Sequence, residues 1–406
     1  MKRLRAAFSV GSRVFLVLAL AGAGALLALL AGCGSTSFAP RVEPSQVTLQ
    51  WPVPPNPAKV TFLRSLTGFT PRGSAGRSLR ALVVGKESAD LHAFVLPVAV
   101  AVAPDGRIAV ADMGRRCVHL YLPEGGKARG TAGGSTGKRP EESGPSSRKR
   151  PEESGMSSRK RPEESGRYVQ LTGSAAEPIV SPIGLAFDDR SQLFLTDSSG
   201  KVFGFDAEGG LLWVSRSSGE TPWQRPTGLA FSPERRLLYV VDTLAHRVVG
   251  LRTDGSFELA FGGRGEGVES FNFPTHIFRA SSPEGGVLYV TDTLNFRISA
   301  FDESGKPLGV FGRHGDGSGD LAMPKGLAAD RDGVLYVADG IFDNVQLFDR
   351  AGEFLLTLGR RGTGPGEFWL PSGVFVSPEG ELYVADTYNR RVQVFRLQEG
   401  YVASGS

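Results

Sequence analysis

The sequence predicts an all-β ring built from six similar four-stranded units. The stretch LYVADTYNRRVQVF begins at Leu382, and close copies of it begin at Leu288 and at Leu238. A polar turn lies in the middle of each copy, between two apolar runs. Because one segment recurs in this form, the chain is expected to build the same supersecondary unit repeatedly.

Two markers define the unit and keep one register along the chain. A proline opens each unit, and an aspartate ends an apolar run about fifteen residues later. The prolines are Pro97, Pro182, Pro226, Pro274, Pro324 and Pro371, and the aspartates are Asp112, Asp197, Asp242, Asp292, Asp339 and Asp386. Two markers in constant register indicate that the repeat is not accidental.

Four short strands fit each unit, and no helix is predicted in it. The turn RDG at 331–333 separates two apolar runs, which is a strong hairpin signal. The second run is apolar at consecutive positions, so both of its faces must be buried. Sheets packed radially around an axis bury both faces and leave few free edges. The predicted fold is therefore a six-bladed β-propeller.

The N-terminal part of the domain is expected to close the ring. The sixth unit stops after its third strand, at Phe395, and lacks a fourth. The stretch VTFLRSLTG (Val60–Gly68) is similar to the fourth strand of the fifth unit, FLLTLG, and has no unit of its own. We therefore expect the propeller to span residues 60–397, with this N-terminal strand completing the last blade.

A low-complexity insertion accounts for the long first repeat. Residues 138–167 contain KRPEESG three times, with no aromatic and almost no aliphatic side chains. Such a composition cannot bury enough apolar surface to become ordered. We expect a disordered loop at about 124–166, between the third and fourth strands of the first blade.

The first residues have the features of an export signal. A basic start, an apolar run and the sequence LAGC, which ends at Cys33, describe a signal peptide over residues 1–32. The cysteine after LAG resembles the bacterial lipoprotein signal, in which that cysteine is lipidated. An uncleaved membrane anchor is the alternative. The resemblance implies a lipid-anchored protein of the cell envelope, and Gly34, rather than Asp, after the cysteine implies sorting to the outer membrane. Residues 33–59 are expected to be a flexible linker.

The repeat itself resembles the NHL-repeat family of six-bladed propellers. The likeness rests on the P-x-G start, the LYVAD strand and the D-x-x-N-x-R turn, and it extends to bacterial NHL lipoproteins. Within this resemblance two roles are open for the turn aspartates. They could supply carboxylates to a metal, or they could cap the turn and pair with the arginine five residues on, as Asp386 would with Arg391. The structural role is favoured, because a structural device should recur in nearly every blade.

An enzymatic site is not favoured by the residues at the axis. Similar propellers include calcium-dependent lactonases and a peptide amidating lyase, which hold cations near the axis. Here the residues after the marker prolines are Val98, Ile183, Thr227, Thr275, Lys325 and Ser372, and none is acidic. His276 replaces the glycine of P-x-G and is the axial candidate, although a packing role is favoured. Cys117 is expected to be a core residue, and no metal or other cofactor is expected.

A binding face is predicted where the second-to-third-strand turns and the blade-to-blade loops meet, which we call the top face. Its candidate partner-binding residues are cations and aromatics: Arg313, His314, Lys325, Phe342, Arg360, Arg361, Trp369, Tyr388 and Arg390. The alternative is a solvent-exposed rim without a partner, in which the aromatic side chains only pack within the loops. The formal net charge of +4 is too small to indicate nucleic acid.

These observations favour a monomeric, non-catalytic envelope lipoprotein that docks a protein or a polysaccharide through the top face. The resemblance further suggests a link to multihaem cytochrome systems. The alternative function is a propeller hydrolase or lyase with a divergent axial metal site.

The insertion gives a first testable prediction. Limited proteolysis with trypsin should cleave the purified protein within residues 127–164 before any other region, because a segment without burial leaves its many Lys and Arg accessible. Mass spectrometry of the first fragments would locate the cut. Early cleavage inside a predicted blade, with this segment protected, would contradict the interpretation.

Overall fold

The computed structural model describes residues 37–45, 48–72, 91–124, 165–282 and 285–398. The predicted signal peptide, Cys33 and residues 125–164 of the predicted insertion lie outside the described residues. No helix in the described ranges is long and apolar enough to cross a membrane.

The described chain forms 28 strands, whose order follows the repeat. The N-terminal strands are β1 (Ser37–Pro44), β2 (Gln50–Trp51) and β3 (Val60–Arg72). Blade one contains β4 (Pro97–Val102), β5 (Ile108–Asp112), β6 (Cys117–Pro123) and β7 (Gly166–Leu171). Blade two contains β8 (Pro182–Phe187), β9 (Leu193–Asp197), β10 (Lys201–Phe205) and β11 (Leu211–Ser215), and the small hairpin of β12 (Ser217–Ser218) and β13 (Thr221–Pro222) follows it.

The remaining blades repeat this order. Blade three contains β14 (Pro226–Ser232), β15 (Leu237–Asp242), β16 (Arg247–Arg252) and β17 (Phe257–Gly262). Blade four contains β18 (Pro274–Ser282), β19 (Gly285–Asp292), β20 (Arg297–Asp302) and β21 (Pro307–Phe311). Blade five contains β22 (Pro324–Ala329), β23 (Leu335–Asp339), β24 (Asn344–Phe348) and β25 (Phe354–Leu358), and blade six contains β26 (Pro371–Val376), β27 (Glu381–Asp386) and β28 (Arg391–Leu397). Short 3-10 turns lie at Thr243–Ala245 and Thr293–Asn295.

The six blades close into a ring, which confirms the predicted propeller. The innermost strands β4, β8, β14, β18, β22 and β26 each contact the next, and β26 contacts β4. Every residue of β9, β23 and β27 is buried. This explains why the second strand of the repeat does not alternate between apolar and polar residues.

In blades two, three, five and six, the glycine of P-x-G is required because the next blade lies against it. A Cβ atom at Gly228 would lie 2.5 Å from His276 Cα, and one at Gly326 would lie 2.1 Å from the carbonyl oxygen of Ser372. Real Cβ atoms do not approach other atoms so closely. The glycine therefore allows innermost strands of neighbouring blades to meet around the axis.

Strand β3 completes blade six, as the sequence predicted. It pairs antiparallel with β28, in a register that sets Leu66 opposite Val392 and Phe62 opposite Phe395. Phe62 is 4% exposed, and its ring centroid lies 5.5 Å from that of Phe395. The strand that precedes blade one and the last strand of the repeat thus share one blade and close the ring.

The prediction of a flexible linker over residues 33–59 is wrong for Ser37–Pro44. These residues form β1, which pairs with β3 along its length, and Phe38 also pairs with Gly166 of β7. Blades six and one therefore belong to one ten-stranded sheet. Phe38 packs against Tyr168 with ring centroids 5.1 Å apart. The Pro- and Ser-rich composition hid this apolar anchor.

The ends of the predicted insertion also belong to the blade. The amide of Glu124 donates to the carbonyl oxygen of Ser165 at 2.8 Å, and β7 begins at Gly166. The hairpin of β6 and β7 is thus intact on both sides of residues 125–164.

Ring closure by β3 gives a second prediction. Phe62→Ala should lower the free energy of unfolding by about 3–5 kcal/mol, because it opens a cavity in the closing blade. The matched control is Val42→Ala on β1, whose side chain is 42% exposed and should cost about 0.5 kcal/mol or less. Chemical denaturation measures both. Equal losses for the two variants would show that the closing strand does not pack as described.

Candidate functional site

The top face is organised by the six turn aspartates, all fully buried. Each carboxylate accepts backbone N–H groups from the loop that enters the first strand of its own blade. Asp112 accepts from Val95 at 2.7 Å and Leu96 at 3.0 Å, and Asp339 accepts from Ala322 at 2.8 Å. Each carboxylate thus holds an entry loop against the turn between the second and third strands.

In blades three, four and six, an arginine side chain also pairs with the turn aspartate. The nitrogen-to-oxygen distances are 3.7 Å for Arg247 and Asp242, 2.9 Å for Arg297 and Asp292, and 2.8 Å for Arg391 and Asp386. Burial raises the pKa of Asp292 and of Asp386, while hydrogen bonds and the arginine charges oppose the rise. Within the described ranges no group of three or more His, Cys, Asp or Glu could hold a metal ion.

Blade one uses a different partner, which sequence reasoning missed. His119 Nε2 lies 3.4 Å from Asp112 Oδ2, and its Nδ1 lies 2.8 Å from the Tyr168 hydroxyl. Blade six has Gln393 at the corresponding position, also in contact with its turn aspartate at 2.9 Å. A polar residue two positions after the start of the third strand was the available signal. Cys117, beside His119, is fully buried, and burial raises its pKa to about 11, so its thiol is a core group.

Three of the predicted binding cations are exposed but already paired with acids in their own loops or a neighbouring turn. Arg313 lies 2.7 Å from Asp320, Arg360 lies 3.0 Å from Glu367, and Arg361 lies 3.6 Å from Asp343. Their side chains are 72–83% exposed. The top face is therefore less positive than its arginines suggest.

The other predicted residues divide between packing and exposure. His314 packs on Phe296, with ring centroids 4.3 Å apart, and the partly buried Phe342 donates its backbone N–H to Asp339 at 3.1 Å. Arg390 is exposed, with a left-handed φ of 56°, and its guanidinium has no partner in the described chain. Of these residues, only Arg390 offers an unpaired charge to solvent.

Lys325 marks a departure from the repeat beside the ring axis. In blade three, Thr243 donates to the carbonyl oxygen of Pro274 in the next blade at 2.7 Å and is hydrogen-bonded to Thr227 at 2.7 Å. Blade five has Lys325 and Gly340 at these two positions, and the lysine side chain covers the glycine. Burial lowers the pKa of Lys325; the Asp339 charge opposes this effect and the Arg225 charge adds to it.

Four large, exposed apolar side chains of the top face occupy equivalent positions in four consecutive blades. The second residue after the turn aspartate is Leu244, Leu294, Ile341 or Tyr388 in blades three to six, and these side chains are 43%, 47%, 59% and 51% exposed. Trp369, 42% exposed, packs beside Tyr388 with ring centroids 5.5 Å apart. We call these five residues the apolar arc. Only Trp369 and Tyr388 were predicted from the sequence. Alignment of the turns on their aspartates would have placed the other three residues at the position of Tyr388.

His276 lies on the innermost strand of blade four. Its imidazole has no hydrogen-bond partner among the described residues, and burial lowers its pKa to about 4, so the ring is neutral at pH 7. The neighbouring Thr291 hydroxyl is buried without a partner. In blade two, where the position of His276 is glycine, the corresponding Thr196 accepts from Gly184 N–H at 2.9 Å. One neutral histidine and a lone hydroxyl make a packing site with unused hydrogen-bonding capacity.

Comparison with known proteins agrees with this architecture. The model of the NHL repeat matches residues 368–395. A streptogramin B lyase structure is similar at 9% identity with a TM-score of 0.50, over 89% of this chain and 98% of the lyase. This likeness shows the fold alone. No curated protein sequence matches the chain at a significant level.

Two further solved structures are similar at lower TM-scores. Virginiamycin B lyase from Staphylococcus aureus has 12% identity and a TM-score of 0.48, over 75% of this chain and 96% of its own. A gluconolactonase from Xanthomonas campestris has 18% identity and a TM-score of 0.49, over 75% and 87%. The NHL repeat is thus matched in the last blade, and the other five units of the propeller keep the same register.

His276 gives a third prediction, on pH. The unfolded chain protonates this histidine near its ordinary pKa of 6.5, whereas the folded chain resists protonation down to about 4. Folding stability should therefore fall as the pH drops from 6.5 to 4, because only the unfolded state gains the proton. His276→Asn should lose less stability over this window than the wild type. If the free energy of unfolding changed equally with pH for both proteins, the interpretation of His276 as neutral in the folded chain would be wrong.

Proposed function

We propose that this protein is a non-catalytic, lipid-anchored binding protein of the cell envelope whose apolar arc docks a partner protein. One observation carries the proposal: four consecutive blades expose a large apolar side chain at the same turn position, beside an exposed tryptophan. The fold does not need these side chains, because blade one forms a turn of the same length with Gly114 at this position.

The composition of the arc is typical of a protein interface. Tryptophan and tyrosine are the residues that most often dominate binding energy, and they contribute most when a partner removes them from water. The arc places Trp369 and Tyr388 in contact at one end and three aliphatic side chains along the next three blades. Several large apolar side chains exposed on one face are typical of an interaction site.

The charges around the arc indicate the partner's chemistry. Arg225, Arg264 and Arg390 are exposed without side-chain partners in the described chain, whereas Arg313 and Arg360 are neutralised by Asp320 and Glu367. Unpaired cations at a rim attract a partner whose own apolar patch is bordered by acidic groups. The proposed partner is therefore a protein of that kind rather than a neutral polysaccharide.

The rest of the proposal concerns location. Lipidation of Cys33 would place the domain at a membrane of the envelope, and Gly34 favours the outer membrane. We propose that the propeller acts there as a monomer, and that a multihaem cytochrome system is one setting in which it serves. The hydrolase or lyase alternative has His276 as its axial residue.

Capture of a partner by arc variants gives a fourth prediction. Trp369→Ala or Tyr388→Ala should weaken capture from envelope membranes by about tenfold or more, because buried aromatics contribute about 2 kcal/mol or more at an interface. The matched control is Leu212→Ala on β11 of blade two, equally apolar and 50% exposed but outside the arc. Quantitative pull-down followed by a Kd measurement with the captured protein compares the variants.

Two arginine variants distinguish the effect of an unpaired arginine from that of an arginine already paired with a carboxylate. Arg390→Ala should slow association and reduce its salt dependence, whereas Arg313→Ala should change both less, because Asp320 already pairs with Arg313. Capture that survives the arc variants would overturn the docking face. A stoichiometric metal that is lost on changing His276 would favour the enzyme alternative instead.

A further inference from the structure

A pocket of about 510 Å³ opens on the face opposite the apolar arc, where the innermost strands of blades four, five and six end. We call the face opposite the apolar arc the bottom face. Its volume lies within the range of small-molecule sites. The pocket does not follow from the repeat, because three local departures from the repeat build it.

The first departure is a longer hairpin in blade four. Strands β18 and β19 have nine and eight residues, whereas the corresponding β22 and β23 of blade five have six and five. The added length extends one wall, which includes Ser281, Ser282 and Val287. Arg279 stiffens this wall: it lies 2.6 Å from Glu234, 3.2 Å from Glu303, and donates to the Ser281 hydroxyl at 2.8 Å.

The second departure is an unsatisfied tyrosine hydroxyl. Tyr239 of blade three donates to the carbonyl oxygen of Glu303 at 2.7 Å, and Tyr336 of blade five donates to Asp330 at 2.9 Å. Tyr289, at the same position in blade four, lines the pocket and has no such partner in the described chain. A part-buried hydroxyl left without a partner is available to a ligand.

The third departure is a pair of arginines without acidic partners. Arg331 and Arg350 line the pocket, and neither has a carboxylate partner in the described chain. The guanidinium of Arg350 lies over Gly333, where a Cβ atom would come within 1.8 Å of Nε. The one carboxylate in the lining, Asp330, is already engaged by Tyr336 and by the amide of Val334 at 2.9 Å.

We propose that this pocket binds a sugar acid or sugar phosphate. Two unpaired guanidiniums suit one carboxylate or phosphate group, because each can bind two of its oxygens. The bed of the pocket, formed by Phe278, Leu335 and Val376, accepts the carbon face of a sugar ring. The Tyr289 hydroxyl and the serines of the extended hairpin meet the sugar hydroxyls. This site is separate from the top face, and its occupancy does not depend on the proposed docking.

The test uses the full chain and two anionic probes, glucuronate and glucose 6-phosphate, with glucose as the neutral control. Calorimetric titration should detect both anions, and glucose should bind at least about tenfold more weakly. Arg350→Ala should weaken binding of the anions by about tenfold or more, since it removes a charged hydrogen-bond donor. Tyr289→Phe should cause a smaller loss.

Two controls keep the test decisive if a variant disturbs the turn. Ala329→Phe fills the pocket while it leaves both arginines in place, and it should abolish binding. Arg313→Ala changes an arginine of the top face and should leave binding unchanged. Equal affinity for glucose, anion binding that survives Ala329→Phe, or no binding of either anion up to about 10 mM would overturn the proposal.

Discussion

The top face depends on one interaction, the buried carboxylate that each turn aspartate offers to the backbone of its own entry loop. An ionised group in the core is costly unless it is fully hydrogen-bonded, so the entry loop must adopt the conformation that supplies the N–H groups. Blade-to-blade loops of different length and sequence therefore end at one fixed position. The turn residues beyond the aspartate can therefore differ between blades, and four of the five residues of the apolar arc lie there.

The sequence was sufficient for the ring, because the ring is a property of the repeat. The marker prolines and aspartates, the unalternating second strand and the missing fourth strand of blade six each had a direct physical meaning. It was not sufficient for β1, because Phe38 is a single anchor in a stretch whose average composition is that of a linker. The candidate site was predicted less well. Arg313 and Arg360 were identified as cations, but their pairing with Asp320 and Glu367 depends on how the glycine loops fold back.

Departures from the repeat carry more functional information than the repeat itself. Blade five replaces a hydroxyl pair with Lys325 and Gly340, and blade four replaces the axial glycine with His276 and lengthens its hairpin. Each departure leaves a polar group with unused hydrogen-bonding capacity, such as the Tyr289 hydroxyl. A repeat protein can afford this locally, since the other blades keep the ring closed.

Strand β1 limits how the domain can be oriented at a membrane. Only residues 34–36 separate Cys33 from Ser37, the first residue of β1, and a chain step of four residues spans at most about 14 Å. If Cys33 carries lipid, the bilayer surface lies next to the seam between blades six and one. The propeller would then be held by its side wall, with both the arc and the bottom pocket open to the aqueous compartment. A force applied to the lipid would then act on the seam between blades six and one, where the ring closes.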